Sequence, residues 1–273
     1  MIWLNGEIRQ AEGAISANDR GLLLGEAAFE TLVVQGGVPQ FWDAHMARLT
    51  AACAAFSFPM PYDGETLKEG ARKLLASFDS AQRQVLRLTV TGGASGRGLV
   101  PLQESDGTWL MQVSEATSPP LYLRLHESDV TVLAGGTSSQ HKTSAYLDNI
   151  LARRAALTAG ADEAVLFNQY GRLAGAAAGN IFVQKGKQLI TPPLSEGALA
   201  GIIRAALIKA GEMAGLSVKE GLIGRDLLAK ADALFVTNSV QSVVPAGFDA
   251  AASEAQKKQG HALCEALPQY LDF

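Results

Sequence analysis

Residues 138–160 read SSQHKTSAYLDNILARRAALTAG and place a lysine just before an amphipathic helix. The apolar run DVTVLAG at 129–135 precedes this stretch, so the pattern predicts a strand, a polar loop with His141 and Lys142, and then a helix. Lys142 is one of only ten lysines in the chain. A solvated surface lysine is the simplest interpretation of any single lysine, and the rest of the sequence decides against it.

Length and composition limit the classes of protein that fit. The chain has 273 residues, 48% of them apolar, and a formal net charge of -4. A chain of this length predicts two domains. The mild acidic excess gives no reason to expect nucleic acid or an anionic membrane as a partner. No apolar run approaches the roughly 20 residues that a membrane span needs.

Cysteine and histidine usage bears on compartment and metal binding. Cys53 and Cys264 lie far apart, and the four histidines are scattered along the chain. Neither residue type forms a cluster with metal-ligand spacing. Reduced thiols are the simplest account of the two cysteines. We therefore expect a cytoplasmic protein without a metal site.

Turn signals between apolar runs predict hairpins. Asn5-Gly6 interrupts IWLNGEIR, and Gly36-Gly37 interrupts FETLVVQGGVPQFW. Periodic apolar residues predict helices at 43–58, at about 64–78, and in the stretch AGIIRAALIKAGEMAGL at 200–216. Strands mixed with helices, mostly in hairpins, favour an α+β fold over a doubly wound sheet.

A proline pair suggests where one domain ends. Pro119-Pro120 breaks the pattern within SEATSPPLYLR. The stretch 117–122 is therefore the predicted linker, between an N-terminal domain at 1–116 and a C-terminal domain at 123–273. No GxGxxG motif follows a predicted strand, so a dinucleotide site is not expected.

Seven motifs follow one another in a fixed order: DRGLLLGEAAFET (19–31), HMARL (45–49), HKTSAYLDN (141–149), DEAVLFNQYGRL (162–173), GNIF (179–182), TPP…LAGIIR (191–204) and LFVTNS…VVP (234–245). In this order they resemble the class IV (fold type IV) pyridoxal-phosphate enzymes. That family includes branched-chain and D-amino-acid aminotransferases and 4-amino-4-deoxychorismate lyase. The resemblance extends from residue 2 to about residue 247.

The resemblance implies a fold, a cofactor and an assembly. It implies a two-domain α+β fold with a smaller N-terminal α/β domain and a larger, β-barrel-like C-terminal domain with helices. It also implies pyridoxal 5'-phosphate, a small amino substrate and a homodimer. Lys142 matches the Schiff-base lysine, whose amine captures the cofactor aldehyde and then carries a proton at the substrate Cα.

The resemblance also implies residues that bind the cofactor. Arg48 matches the arginine that holds the phosphate, where a guanidinium binds two oxygens at once. Ile202 and Ile203 match the helix start whose backbone N–H groups receive the phosphate; many relatives have threonine where Ile203 stands. Ser239 matches a hydroxyl on the phosphate, and Tyr146 a tyrosine near the phenolic oxygen. Without the family, each has an ordinary structural interpretation.

Substrate recognition is predicted at two places. Arg97 lies in the glycine-rich loop TGGASGRGL, and a guanidinium suits a carboxylate. The loop resembles GRGY of the lyases, although Leu99 replaces the tyrosine and Gly92 replaces an arginine often found there. Asn238, before Ser239, forms an Asn-Ser pair that also resembles the lyases.

One departure from the family concerns the cofactor ring. Relatives carry a glutamate at the position of Gly175, where its carboxylate keeps the pyridine nitrogen protonated. Glycine cannot supply that charge. Glu26 and Glu163 are the nearby acids in the motifs, and the sequence places neither of them at the nitrogen.

Three functions remain open at this point. The first is 4-amino-4-deoxychorismate lyase, which releases pyruvate to give 4-aminobenzoate for folate synthesis. The second is an aminotransferase for a D- or branched-chain amino acid, which uses the same cofactor residues. The third is a cofactor-binding homologue that is weakly active or non-catalytic, as the missing glutamate allows.

Overall fold

The computed structural model describes residues 1–96, 98–100, 106–249 and 253–266. The chain divides into two compact units. The first contains Met1–Thr117 and the four residues Lys142–Ala145, and the second contains Ser118–His141 and the chain from Tyr146 onward. The division after Thr117 falls inside the predicted linker. Nothing in the composition indicates that residues 142–145 return to the first unit.

The first unit is built on one antiparallel sheet. Its strands are β1 (Ile2–Leu4), β2 (Glu7–Arg9), β3 (Ala27–Gln35), β4 (Val38–Pro39), β5 (Gln84–Thr91) and β6 (Thr108–Glu115). They lie in the order β2-β1-β6-β5-β3-β4, and every neighbouring pair is antiparallel. The long strands β3, β5 and β6 form its centre.

Three helices accompany this sheet: α1 (Arg20–Leu24), α2 (Trp42–Phe56) and α3 (Gly64–Leu75). Helix α2 packs Leu49 and Cys53 into the core of the unit, as its apolar stripe predicts. Helix α3 begins where the Asp63 carboxylate accepts a hydrogen bond from the N–H of Thr66, a normal N-cap. The sheet therefore has one face covered by α2 and α3.

Both predicted hairpin turns are confirmed. Asn5 and Gly6 have φ of 47° and 96°, and Gly36 and Gly37 have φ of 57° and 77°. A two-residue turn with positive φ at both positions matches the twist of the strands that it joins. The flanking strands pair antiparallel in both cases.

The second unit is built on a mixed sheet. Its strands are β7 (Leu123–Val132), β8 (Glu163–Asn168), β9 (Leu173–Ala176), β10 (Asn180–Lys185), β11 (Gln188–Thr191), β12 (Glu212–Met213), β13 (Leu216–Glu220), β14 (Ala233–Asn238) and β15 (Ser242–Gly247). The order is β12-β13-β11-β10-β14-β15-β7-β8-β9, with parallel pairing at β11–β13, β15–β7 and β7–β8.

The helices of the second unit are α4 (Thr137–Gln140), α5 (Leu147–Thr158), α6 (Ile202–Ala210), α7 (Arg225–Ala229) and α8 (Glu254–Ala266). The prediction of one helix over 200–216 is wrong in its last third. Helix α6 ends at Ala210 because Gly211 adopts φ of 66°, and β12 and β13 follow as a hairpin. No helix in the described residues is long and apolar enough to cross a membrane.

Residues 142–145 pair with an edge of the first unit's sheet. The N–H of Phe29 donates to the carbonyl of Lys142 over 2.9 Å, and the N–H of Ser144 donates to the carbonyl of Ala27 over 2.9 Å. Ala28 and Thr143 form an antiparallel bridge between these bonds. The helix predicted directly after Lys142 therefore starts later, at Leu147, because this extended segment comes first.

Candidate active site

The side chain of Lys142 lies against an aromatic ring of β3. The backbone of Lys142 is hydrogen-bonded to the same strand. The Nζ atom of Lys142 is 4.3 Å from the ring centroid of Phe29, and Cζ of Arg87 is 3.6 Å from the same centroid. Contact between a cation and a ring stabilises by about 0.5–2 kcal/mol, depending on desolvation. Phe29 thus gathers an amine and a guanidinium at one place in the first unit.

A charged cluster lies on the opposite face of β3. Side chains alternate along a strand, so Glu30 points away from Phe29 and toward α2. Its carboxylate accepts hydrogen bonds from Nε and Nη2 of Arg48 over 2.7 and 2.6 Å. Nδ1 of His45 is 2.6 Å from the Glu30 Oε2 atom. Glu30 and His45 are fully buried, and the Arg48 side chain is 14% exposed.

The protonation states in this cluster follow from burial and pairing. Burial alone would raise the pKa of Glu30, but hydrogen bonds from Arg48 and His45 outweigh burial and hold that pKa below its ordinary value. Burial lowers the pKa of His45, and the neighbouring Glu30 only partly offsets this. Neutral His45 therefore donates its Nδ1–H to an ionised Glu30. The charges of Glu30 and Arg48 cancel, and both residues are fixed in orientation.

In the second unit, the start of α6 has the form of an anion site. Gly201 is its N-cap, and no side chain caps the helix. A Cβ at Gly201 would lie 2.0 Å from Oδ1 of Asn180, so only glycine fits this position. The N–H groups of Ile202 and Ile203 belong to the first turn, where the helix dipole favours negative charge. Both isoleucine side chains are buried. Burial is also what their ordinary structural role predicts, without any cofactor.

The other predicted cofactor and substrate residues of the second unit have ordinary local surroundings. Oδ1 of Asn238 accepts hydrogen bonds from the N–H groups of Val240 and Gln241 over 3.0 and 2.7 Å, so Asn238 shapes the turn that carries Ser239. Tyr146 is half-buried at the N-cap of α5. Their roles toward cofactor and substrate stay predictions.

Gly175 lies on β9 opposite Leu166 of β8. Its φ is not positive, so its backbone accepts any residue, and a Cβ there would meet only the Gly179 carbonyl oxygen, at 3.1 Å. Glu163 is three residues from Leu166 along β8, which is about 10 Å. Its carboxylate is paired with Arg153 and accepts the N–H of Ala164. The carboxylate of Glu163 is therefore already paired, at a distance from Gly175.

Glu26 has a different partner as well. Its carboxylate pairs with the buried guanidinium of Arg20 in the first unit. It also packs on Gly92, where a Cβ would lie 2.8 Å from Glu26 Oε2. Arg97, the predicted carboxylate ligand, lies outside the described residues.

Three side chains near Lys142 and Arg48 are missing from the sequence-based prediction: Phe29, Glu30 and Arg87. Glu30 and Phe29 lie within the motif GEAAFET, and an acid inside an apolar strand was an available signal. Arg87 alternates with buried Leu86 and Leu88, so the strand pattern shows only that it faces away from the core. Its position over the Phe29 ring depends on the pairing of β3 with β5.

We expect His45 to make stability dependent on pH. Its pKa is depressed in the folded protein, so below pH 6.5 the unfolded chain binds a proton that the native state excludes. The free energy of unfolding should fall by up to about 1.4 kcal/mol per pH unit from that pH downward. His45→Asn, which still donates to Glu30, should flatten this slope in urea unfolding at about pH 7 and about pH 5.5.

The matched control is His261→Asn, because the His261 side chain is 76% exposed on α8. This variant should keep the slope of the parent. Equal slopes for the parent and His45→Asn would contradict a neutral, buried His45.

Known proteins resemble this chain along most of its length. The family described as "Amino-transferase class IV" matches residues 27–247. Aminodeoxychorismate lyase of Bacillus subtilis is 29% identical over 250 residues, covering 90% of this chain and 85% of that protein. D-alanine aminotransferase of Bacillus licheniformis is 27% identical over 253 residues, covering 89% and 86%. The structure of branched-chain aminotransferase from Thermoproteus uzoniensis with norvaline superposes with a TM-score of 0.88 at 20% identity, over 99% of this chain and 95% of that one. The predicted fold class is confirmed, and the chain belongs to the class IV aminotransferase family.

Proposed function

We propose that this protein binds pyridoxal 5'-phosphate and converts 4-amino-4-deoxychorismate to 4-aminobenzoate and pyruvate. The observation that carries the proposal is the 29% identity to aminodeoxychorismate lyase of Bacillus subtilis along 90% of the chain. The Asn238-Ser239 pair and the SGRG sequence at 95–98, which resemble the lyases, support the same choice.

The residues fit two of the three parts of the cofactor. Lys142 offers an amine beside Phe29 for the aldehyde. The uncapped first turn of α6, with glycine at Gly201, offers backbone donors for the phosphate. The third part, the ring nitrogen, has no carboxylate at Gly175. When bound, pyridoxal phosphate supplies an electron sink for the carbon that bears the substrate amino group.

The proposed roles of the side chains follow from their chemistry. Lys142 holds the aldehyde and moves a proton at the carbon that bears the amino group. Arg48, with its plane fixed by Glu30, is the proposed phosphate ligand of the first unit. Ser239 and the N–H groups of α6 are the proposed phosphate ligands of the second unit. Tyr146 contacts the phenolic oxygen of the cofactor.

Arg87 is a second candidate for substrate recognition beside Arg97. Its guanidinium stacks on the same Phe29 ring as the amine of Lys142. A carboxylate on a substrate held near that amine would find a planar donor of matching geometry. The proposed lyase substrate and amino acids both carry carboxylates, so Arg87 supports either reaction.

Transamination of a D- or branched-chain amino acid is the alternative. The 27% identity to D-alanine aminotransferase over 89% of the chain favours it. A weakly active, cofactor-binding homologue is the further alternative, and the glycine at Gly175 favours that one.

We expect purified protein with pyridoxal phosphate to release equimolar pyruvate and 4-aminobenzoate from aminodeoxychorismate, because both products come from one substrate molecule. Both products are quantified by chromatography, and borohydride reduction with peptide mass spectrometry should locate a cofactor adduct on Lys142. Lys142→Ala should abolish both results. If the protein instead forms glutamate from 2-oxoglutarate and a panel of amino acids, and releases no pyruvate, the function is that of the aminotransferase and not of the lyase.

We expect Arg48→Lys to weaken binding of pyridoxal phosphate by roughly tenfold while binding of pyridoxal is unchanged. Lysine keeps the charge that balances Glu30 but loses the fork that binds two oxygens, at a cost of about 1.5 kcal/mol. Removal of the charge would instead leave the buried Glu30 carboxylate with the hydrogen bond from His45 but without its cationic partner, at a cost of about 3–5 kcal/mol. Absorbance titrations with both compounds measure the difference.

Arg9→Lys is the control for this substitution, because Arg9 forms an exposed pair with Glu7. It should leave both affinities at the values of the parent. Equal weakening of pyridoxal and pyridoxal phosphate by Arg48→Lys would remove Arg48 from the phosphate site.

We expect Gly175→Glu to accelerate turnover by about tenfold, which is about 1.4 kcal/mol of barrier, because the added carboxylate would stabilise the protonated form of the ring nitrogen. The backbone allows the side chain, and the Gly179 carbonyl needs to move by only a few tenths of an ångström. Gly175→Gln has the same shape without the charge and should give no acceleration. Equal rates for both variants, with cofactor bound, would show that the missing carboxylate does not limit the reaction.

We also propose a homodimer in which α1 and Leu99 lie at the interface. Leu22, Leu23, Leu24 and Leu99 are 69%, 59%, 50% and 84% exposed. Apolar chains grouped on one surface are typical of protein interfaces. Leu23→Asp should convert dimer to monomer in sedimentation velocity, because the charge would be buried. Val38→Asp, at a 59% exposed position on the β3–β4 hairpin, should not. A dimer that survives Leu23→Asp excludes this surface.

A further inference from the structure

Arg20 is a buried arginine for which the proposed chemistry has no use. Its side chain is 4% exposed, and its Nε pairs with the carboxylate of Glu26. Its Nη1 donates to the carbonyl of Gly98 over 2.9 Å, and its Nη2 donates to the carbonyl of Leu99 over 2.8 Å. Burial of an arginine is costly unless its donors are satisfied, so this side chain is committed to these three partners.

The two carbonyls belong to the far side of the glycine-rich loop that follows β5. Nearly eighty residues separate Arg20 from them in sequence. Glycine-rich segments lose more conformational freedom on ordering than others do. A guanidinium that binds two successive carbonyls removes that freedom at Gly98 and Leu99, which directly follow Arg97 in the sequence.

The near side of the loop is held independently of the Arg20 side chain. The carboxylate of Asp19 accepts hydrogen bonds from the hydroxyls of Thr91 and Thr108 over 2.9 and 2.6 Å. The N–H of Arg20 donates to the carbonyl of Gly93 over 2.9 Å. The loop is therefore fixed at its base by Asp19 and backbone bonds, and at its far side by one guanidinium.

We infer that Arg20 is a positioning residue for substrate recognition: it holds Gly98 and Leu99, the two residues that follow Arg97 in the sequence, in the conformation needed to bind the substrate carboxylate, and it takes no part in cofactor binding. The inference rests on the proposed function, in which Arg97 binds that carboxylate. Ordering a loop on binding costs free energy, and this cost is smaller when the loop is already ordered. Arg20 therefore acts on substrate affinity.

The test compares Arg20→Lys with Thr108→Val. Lysine can keep the pair with Glu26 but cannot reach both carbonyls with a planar fork. Valine at position 108 removes one buried hydrogen bond of Asp19 at the base of the loop and leaves the Arg20 side chain untouched. It serves as the matched control for a loss of stability without a loss of loop positioning.

With aminodeoxychorismate as substrate, we expect Arg20→Lys to raise KM at least about tenfold, the effect of one lost charge-assisted hydrogen bond, with kcat within about twofold. Pyridoxal phosphate affinity should match the parent. Thr108→Val should lower the melting temperature and leave KM within about twofold. In the Arg97→Ala background, Arg20→Lys should add little to KM, because both changes remove one interaction.

Hydrogen exchange of the peptide that covers residues 92–100 gives a readout without substrate. Exchange there should be faster in Arg20→Lys and unchanged in Thr108→Val. An unaltered KM, an equal rise in KM for Thr108→Val, or a full tenfold rise in the Arg97→Ala background would each overturn the inference. Should Arg20→Lys fail to fold, Arg20→Gln, which also lacks the planar fork that binds both carbonyls, carries the same comparison.

Failure of the proposed function has a different signature. If the parent turns over neither aminodeoxychorismate nor any amino acid, the proposed function is wrong, and the substrate part of the inference falls with it. Exchange at 92–100 would still decide whether Arg20 holds the loop.

Discussion

The pairing of residues 142–145 with β3 is the constraint on which the candidate site depends. The chain leaves the second unit after His141, contributes four residues to the first, and returns at Tyr146. Two backbone hydrogen bonds of 2.9 Å, at Phe29 and Ser144, hold this excursion. A backbone contact fixes where the Lys142 Cα lies regardless of the neighbouring side chains, so the position of the lysine does not depend on what its amine contacts.

Strand β3 then serves two purposes through its alternation. Phe29, on one face, supports the amine of Lys142. Glu30, on the other face, binds Arg48 and His45 of α2. A buried carboxylate in a sheet is expensive unless it is paired, and here two donors from one helix satisfy it. The same pairing fixes the plane of Arg48, so the balancing of a buried charge also orients a residue proposed to bind phosphate.

Features of the fold that local chemistry decides are predictable from the sequence. Positive φ at Asn5-Gly6 and Gly36-Gly37 follows from residue type, and both hairpins are confirmed. The motif order gave the family and fold class, and the importance of Lys142 rests on the same order. Two features were not predictable. The end of α6 at Ala210 depends on which of several glycines adopts a positive φ. The position of Arg87 over the Phe29 ring depends on the register of β3 with β5, in which Thr31 lies opposite Arg87. The roles of Arg48, Tyr146 and Ser239 toward a cofactor remain inferences from the family.

Gly92 and Gly175, the two glycines that the family resemblance singles out, have different physical settings. At Gly92 a Cβ would lie 2.8 Å from the Glu26 carboxylate, so a side chain there requires a shift of Glu26, which pairs with Arg20. At Gly175 the backbone accepts any residue, and the nearest atom to a Cβ is one carbonyl oxygen at 3.1 Å. Glu163 is bound by Arg153, and burial raises the pKa of its carboxyl, so within the described part of the second unit this acid does not replace the lost charge. A side chain at position 92 therefore competes with the Arg20–Glu26 pair, whereas position 175 has room for a carboxylate.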